Sequence, residues 1–194
     1  MRQMLGRMLV AGLALAALLA LTLPSAAFGA STGRKASEFR YREAPVVQVV
    51  VPTRDEQAVI DLVNDERAKA GLSALTLSST LTKSARGHSK EMASKKYFAH
   101  DSYNGEAYDA RIIRYGYSKS GYSFWAADEN IYWGTNLFST PVAVVQSWMG
   151  STMHRAVILD PKVKEIGVGA VVTSSFLGQK NVTIYTLDSG CRTK

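Results

Sequence analysis

Three histidines, a carboxylate and a hydroxyl are the groups in this chain whose surroundings suggest chemistry. His88 sits midway along an amphipathic stretch, on its apolar side. It reads either as a core imidazole bonded to a carbonyl or as part of a polar site. His100 follows Lys96-Tyr97-Phe98-Ala99, just past the end of that stretch, where a side chain leaves a helix and can point into a cleft. His154 follows a break in a later helical stretch, within Trp148-Met149-Gly150-Ser151-Thr152-Met153-His154-Arg155. Glu129 stands in Asp128-Glu129-Asn130-Ile131 between apolar and aromatic neighbours. A carboxylate buried there alone would be expensive, so Glu129 is either paired or functional. Imidazoles and a carboxylate suit zinc, and they suit a buried hydrogen-bond network equally. Ser151 and His154 have helical i, i+3 spacing, and with Glu129 orienting the base they outline a nucleophilic triad. No nucleophile-elbow or oxyanion motif accompanies it. His88 and Ser89 are adjacent on a helix and do not face one another.

The elements that must position these groups are legible. Thr53-Arg54-Asp55-Glu56 is a capping box, followed by Val59, Leu62, Val63, Glu66 and Ala70 at helical spacing, with Gly71 as the stop. A second helix is expected from about Ser79 to Lys95, with Leu81, Ala85, His88 and Met92 on one face. A third covers Tyr108 to Arg114. A fourth opens at Pro141 behind Thr140 as its cap and turns Val144, Val145 and Trp148 inward. Ile166 to Thr173 and Val182 to Leu187 are β-branched and alternate, with Gly178 between them, and so predict a hairpin. Helices on a small antiparallel sheet give an α+β class. Residues 97–133 carry eleven of the eighteen aromatic residues and read as a long loop. Such a loop serves either as a stacking surface for sugar or peptide or as packing for a segment without regular structure.

Composition bounds the rest. The chain has 194 residues, 46% of them hydrophobic and 20% charged, which excludes a collagen-like or wholly disordered protein and suits one domain. Arg2 and Arg7, the apolar run Met8 to Leu23 and the small residues around Ser25-Ala26-Ala27-Phe28-Gly29 have the layout of a secretory signal. The run is short for a membrane span, which needs about 20 residues. The expected organisation is a signal peptide over 1–29, a linker over 30–52, a domain over 53–190 and a tail over 191–194. Within the linker, Val46 to Val51 is strand-like. Loss of Arg2 and Arg7 lowers the formal charge from +7 to +5, enough to draw the protein to anionic envelope polymers. The charges are scattered, which argues against nucleic-acid binding. Cys191 is the single cysteine, so no intrachain disulfide forms; in a polar tail it reads as a passenger thiol or the site of a disulfide dimer. An exported domain without disulfides points to a bacterial setting. A monomer with no membrane span after signal cleavage is expected.

Five segments, in order, resemble bacterial members of the CAP superfamily, the SCP domains of cysteine-rich secretory, antigen 5 and pathogenesis-related 1 proteins. They are Leu62 to Arg67, Ala85 to Met92, Tyr97-Phe98-Ala99-His100, Glu129-Asn130-Ile131, and Trp148 to Leu159 followed by Glu165-Ile166-Gly167-Val168-Gly169. The match covers about Glu56 to Leu187. The resemblance implies a three-layer α-β-α sandwich with a central cleft that holds two histidines and two acidic residues, where some members bind a divalent metal. By motif, His100, Glu129 and His154 take three of those positions. Ser151 stands where the fourth, a glutamate three residues after the tryptophan, is usual; Asp128 replaces a glycine and Val157 an asparagine. His88 belongs to the bacterial form of the motif and is expected to help line the cleft. The resemblance implies an exported, secreted or wall-associated domain whose cleft binds a ligand or envelope component, a binding module rather than a catalyst. The expected cofactor is at most a labile divalent cation such as zinc on His100 and His154. The alternatives are a metal-assisted hydrolase of peptide or envelope polymer with Glu129 as base, and a structural envelope protein.

Overall fold

The computed structural model describes residues 50–194. The expected signal peptide and most of the linker, including Val46 to Val49, lie outside the described residues. The first helix, α1 (Arg54–Lys69), starts where the capping box places it. Thr53 Oγ1 accepts from the Glu56 amide at 3.3 Å, and Glu56 Oε2 accepts from the Thr53 amide at 2.7 Å. A two-residue strand, β1 (Thr76–Leu77), precedes α2 (Ser79–Lys95), which ends on Lys96 in the left-handed region with φ 56°. Then come α3 (Tyr108–Arg114), β2 (Phe124–Thr135), a single 3-10 turn, and α4 (Pro141–Gly150), capped by Thr140. The chain closes with α5 (Thr152–Ile158), β3 (Glu165–Phe176) and β4 (Gln179–Thr193). The turn between β3 and β4 is Leu177-Gly178, both at positive φ, which matches the twist of a tight hairpin. None of the helices is long and apolar enough to cross a membrane, among the described residues.

The strands lie in the order β1-β3-β4-β2, with β3, β4 and β2 antiparallel and β1 added in parallel to β3. Two expectations change here. Residues 124–133, read from sequence as part of a long loop, belong to a twelve-residue edge strand, Phe124–Thr135, paired along its whole length with β4. Residues 191–193, read as tail, continue β4, and Cys191 is buried opposite Ala126. Burial removes this thiol from contact with a second chain, so the passenger reading stands and the disulfide dimer does not.

Layers form on both sides of the sheet. On one, Ile166, Val168, Tyr185 and Leu187 meet Val59 and Val63 of α1 and Val144, Val145 and Trp148 of α4. On the other, Ile131, Val182 and Ile184 meet Met92 and Ala93 of α2. The α2 backbone lies almost on β3. A Cβ at Gly167 would come 2.1 Å from the Thr82 amide nitrogen, and one at Gly169 2.3 Å from that of Arg86. Both distances are below any real contact, so only glycine allows this approach.

Polar clamps join the layers at the edges. Buried Glu56 accepts from Arg86 Nε of α2 at 2.8 Å and from the Ala170 amide of β3 at 3.3 Å, closing over β3 where β1 has ended. Buried Arg67 donates to the carbonyls of Ser73, Ile158 and Asp160 at 2.7–2.9 Å, tying α1 to the chain after α5. The segment Leu62 to Arg67 thus has a structural role.

The face shared by Leu81, Ala85, His88 and Met92 is fully buried, as its spacing predicts. Met92→Ala should therefore destabilise the domain by about 2–5 kcal/mol, the range for a large-to-small core change. An unchanged urea midpoint would contradict the packing.

Candidate ligand-binding cleft

The edge strand β2 is the floor of the candidate site. His100 reaches it from the α2 layer, in the loop that α2's left-handed cap releases, and His154 reaches it from the opposite layer on α5. Between them is a cavity of about 170 Å³, walled by His100, Glu129, Asn130, Ser151 and His154 with Met153 and Val157. Fully buried Asn130 donates through Nδ2 to the His154 carbonyl at 2.9 Å, fastening α5 to the floor.

Glu129 organises the other side. Its side chain is buried, Oε1 lies 2.9 Å from His100 Nδ1, and Oε2 accepts from the Arg111 guanidinium. Arg111, buried on α3, also donates to the His100 carbonyl at 2.9 Å and to Ser102 Oγ at 3.1 Å. The carboxylate therefore faces two donors, and Nδ1 of His100 carries the proton it shares with Glu129. This leaves Nε2 of His100, on a side chain 47% exposed, as a lone-pair acceptor.

Burial holds the His100 imidazole below its ordinary value, helped by the Arg111 charge and opposed by Asp101. Burial also lowers His154, with the neighbouring His100 adding to the effect. Both rings are neutral at pH 7. Burial pushes Glu129 up to about 7 against the pull of Arg111. Asp188, fully buried beside it, is raised well above the carboxylate range by burial and then by the Glu129 charge.

Of the residues singled out in the sequence, His100, Glu129, Ser151 and His154 come together at this cavity. His88 does not line it. It is fully buried behind Glu129, with Nε2 2.9 Å from the Ala99 carbonyl and 3.9 Å from Glu129 Oε1. The core-histidine alternative is the one its geometry fits, and burial lowers it to about 3. The triad outline fails. Glu129 orients His100, not His154, and Ser151, the cap residue between α4 and α5, makes no side-chain cap bond. Sequence reasoning missed Arg111 and Asp188. The signal for Asp188 was an acid directly after the apolar run Val182 to Leu187; nothing local marked Arg111.

Metal chemistry meets a partial donor set. Among the described residues no group of three or more His, Cys, Asp or Glu side chains is placed to hold a metal ion. Glu129 is occupied by Arg111 and His100. His100, however, has the carboxylate support on its second nitrogen that ligating histidines commonly show. Two imidazoles fit a labile ion and fall short of the three protein ligands of a catalytic zinc.

Comparison with known proteins places the chain in a family. The sequence model of the CAP family, described as the cysteine-rich secretory protein family, matches residues 60–187. YkwD of Bacillus subtilis, described as an uncharacterized protein, is 40% identical over 126 residues, covering 64% of this chain and 46% of YkwD. YlbC of the same organism, described as an uncharacterized membrane protein, is 31% identical over 119 residues, 61% of this chain and 32% of YlbC. The chain thus spans less than half the length of either relative. Among solved structures, an extracellular SCP-domain protein from Bacillus anthracis superposes with a TM-score of 0.56 at 29% identity. That alignment covers 72% of this chain and 40% of that one. An outer surface protein from Borrelia burgdorferi gives 0.58 at 19% identity over 74% and 97%, a likeness of fold.

The buried His88 sets a pH dependence. Its folded value is about 3 against an ordinary 6.5, so between these the unfolded chain binds a proton that the native one does not. Its contribution to stability is full above pH 6.5 and declines as pH falls toward 3, by at most about 1.4 kcal/mol per pH unit. His88→Gln keeps an N–H for the Ala99 carbonyl and removes the titration. Urea unfolding at pH 7 and pH 4.5 should show a smaller acid loss for the variant than for wild type. Parallel losses would mean that His88 does not titrate in this way.

Proposed function

The chain belongs to the CAP, or cysteine-rich secretory protein, family in its bacterial form, and from that premise we propose that it is an exported binding module. Its cleft takes up a polar group of a ligand or envelope component between His100 and His154. The observation that carries this reading is the approach of two neutral imidazoles, from opposite layers, to one small cavity over Glu129 and Asn130. Nε2 of His100, held by the Nδ1–Glu129 bond, accepts from a ligand hydroxyl or amide, or binds a labile divalent cation together with His154. Such a cation would offer its open positions to a ligand oxygen. Export is supported by the signal layout of residues 1–29 and by the printed description of the Bacillus anthracis neighbour as extracellular. A net charge of +5 after signal removal supports attraction to an anionic cell wall. Binding is favoured over hydrolysis because Glu129 is engaged by Arg111 and His100 rather than free to act as a base, and among the described residues the one hydroxyl at the cavity, Ser151, has no base bonded to it.

Zinc titration by calorimetry of wild type, His100→Ala and His154→Ala, at pH 7.5 and 5.5, tests the metal arm. Wild type should bind weakly at pH 7.5, and either substitution should abolish binding. Because both rings titrate below their ordinary 6.5, weakening should begin only below that pH. Co-sedimentation with insoluble envelope polymer tests the ligand arm; the double variant should lose binding that wild type shows. If wild type binds no zinc, the metal role falls. If the double variant sediments like wild type, the cleft is not the binding site.

A further inference from the structure

One end of the sheet holds apolar side chains in water. Thr135 of β2 and Thr173 of β3 both pair with Val182 of β4, and from there the β3–β4 hairpin runs on to its turn at Leu177-Gly178. Beside it lies the 3-10 turn Asn136–Ser139, in which Leu137 is 82% and Phe138 69% exposed. Leu137, Phe138 and half-exposed Val142 of α4 border one shallow groove. Val172 alternates onto the face that Val168 and Ala170 turn toward α1 and α4. The first turn of α1 reaches the Ala170 amide through Glu56, and two residues further along β3 Val172 is left 74% exposed. Leu177 is exposed at the hairpin turn.

The 3-10 turn is fixed in this place. Asn136 enters it at φ 50°, in the left-handed region. The Tyr132 hydroxyl donates to the Phe138 carbonyl at 3.0 Å, and the Tyr185 hydroxyl to the Ser139 carbonyl at 2.8 Å. A Cβ at Gly134 would come 2.2 Å from the Phe138 carbonyl oxygen, so the turn sits directly on the sheet. Its backbone is pinned while its two large apolar side chains stay in water. The charge around it has one sign. No Asp or Glu occurs between Asn130 and Leu159 or between Ile166 and Leu187. Lys180 lies opposite Ser175 in the hairpin, and Lys96 Nζ donates to the Ser175 carbonyl, so two cations flank the turn. Asp55, near Tyr185 at the start of α1, is preceded by Arg54, and that margin carries both signs.

We propose that this end of the domain docks on an anionic lipid surface. Leu137 and Phe138 enter the interface, Val142, Val172 and Leu177 surround them, and Lys96 and Lys180 meet the headgroups. Apolar side chains exposed together in this way mark a binding surface. The flanking lysines and the acid-free segments fit a negative partner, and side chains that project from the end of a sheet fit a surface that yields to them. Electrostatic attraction acts within about a Debye length, so the lysines bring the domain to the surface and the apolar pair holds it there. None of these residues lines the cavity between His100 and His154, so docking leaves the cleft open.

The test is co-sedimentation of the mature full chain with vesicles of phosphatidylcholine alone and of phosphatidylcholine and phosphatidylglycerol in equal parts. Wild type should bind the anionic vesicles, bind the neutral ones far less, and be released as salt is raised. Replacing both prongs, Leu137→Ser with Phe138→Ser, should weaken binding by about tenfold or more. Lys180→Glu should weaken it and flatten its salt dependence. Phe124→Ser removes an exposed ring at the other end of β2 and should change nothing. All these side chains are exposed, and an unchanged urea midpoint shows that each variant keeps the fold. Wild type that leaves anionic vesicles unbound overturns the proposal. So does a double variant that binds like wild type, or a Phe124→Ser that loses as much as the double variant. A wild type that dimerises in sedimentation equilibrium, through the prongs and without binding vesicles, overturns it as well and gives the surface to a second copy of this chain. Neither zinc nor envelope polymer enters the measurement, so a failure of the cleft reading leaves this result separate.

Discussion

A carboxylate buried at the edge of a sheet must bring its own cation and donors, and the placement of Glu129 makes that demand at the centre of this domain. Arg111 meets it, and the same guanidinium holds the His100 carbonyl and Ser102 Oγ. Neutralising the charge and fastening the loop that carries His100 are thus one event. Removing a single partner from a buried pair leaves an uncompensated charge and costs about 3–5 kcal/mol. Ile112 of α3 packs against Leu81 and Tyr117, and Tyr97 of the loop after α2 packs against the Met92 cluster. The Arg111 bonds add a polar tie between that loop and Glu129, which links stability to the shape of the cleft.

The depth of that polar cluster depends on a second constraint. Gly167 and Gly169 let the α2 backbone settle against β3, closer than any side chain at those positions allows. This close seating puts Ser84 and His88 over the β4–β2 ladder, beside Asp188 and Glu129. The Glu-Ile-Gly-Val-Gly segment is therefore part of the site's construction although it touches none of its cavity. Ser89 marks the same contact, donating to the Gly169 carbonyl and lying 2.9 Å from the Thr186 hydroxyl.

Local patterns were readable where one physical signal dominated. The capping box set the start of α1, and the i, i+4, i+7, i+11 face of α2 set its buried side. Thr140 and Pro141 set the start of α4. The family resemblance brought His100, Glu129, Ser151 and His154 to one place although local patterns alone left them unconnected. The strand β2 was hidden because Asp128-Glu129-Asn130 interrupts any apolar alternation, and the interruption is the site itself. Polar residues required by the cleft overrode the strand signal, and pairing with β4 supplied the order that the pattern lacked. The end of β4 was hidden for a related reason, since the apolar alternation stops at Leu187 and Arg192 looks like tail chemistry until its partners on β2 and β3 are known. Arg111 was invisible because its partner is distant in sequence and an arginine on a short helix usually faces solvent.

Ser151 gives the cleft its chemical character. A glutamate there would add a second negative charge to a cavity whose single carboxylate, Glu129, is already matched by Arg111. With serine, the walls offer two neutral imidazoles and a hydroxyl, and the net charge at the cavity is close to zero. Such a surface does not select a strong anion or a tightly held cation. Under the proposed reading it would select by hydrogen-bond direction: His100 presents an acceptor fixed by Glu129, and Met153 and Val157 add an apolar wall. On the proposed reading, attraction to an anionic envelope would be carried by the scattered surface charge and screened by salt, whereas recognition in the cleft would be short-ranged and insensitive to salt. These two properties are separable on that reading, because one is set by charge spread over the surface and the other by the fixed geometry of Glu129 and His100.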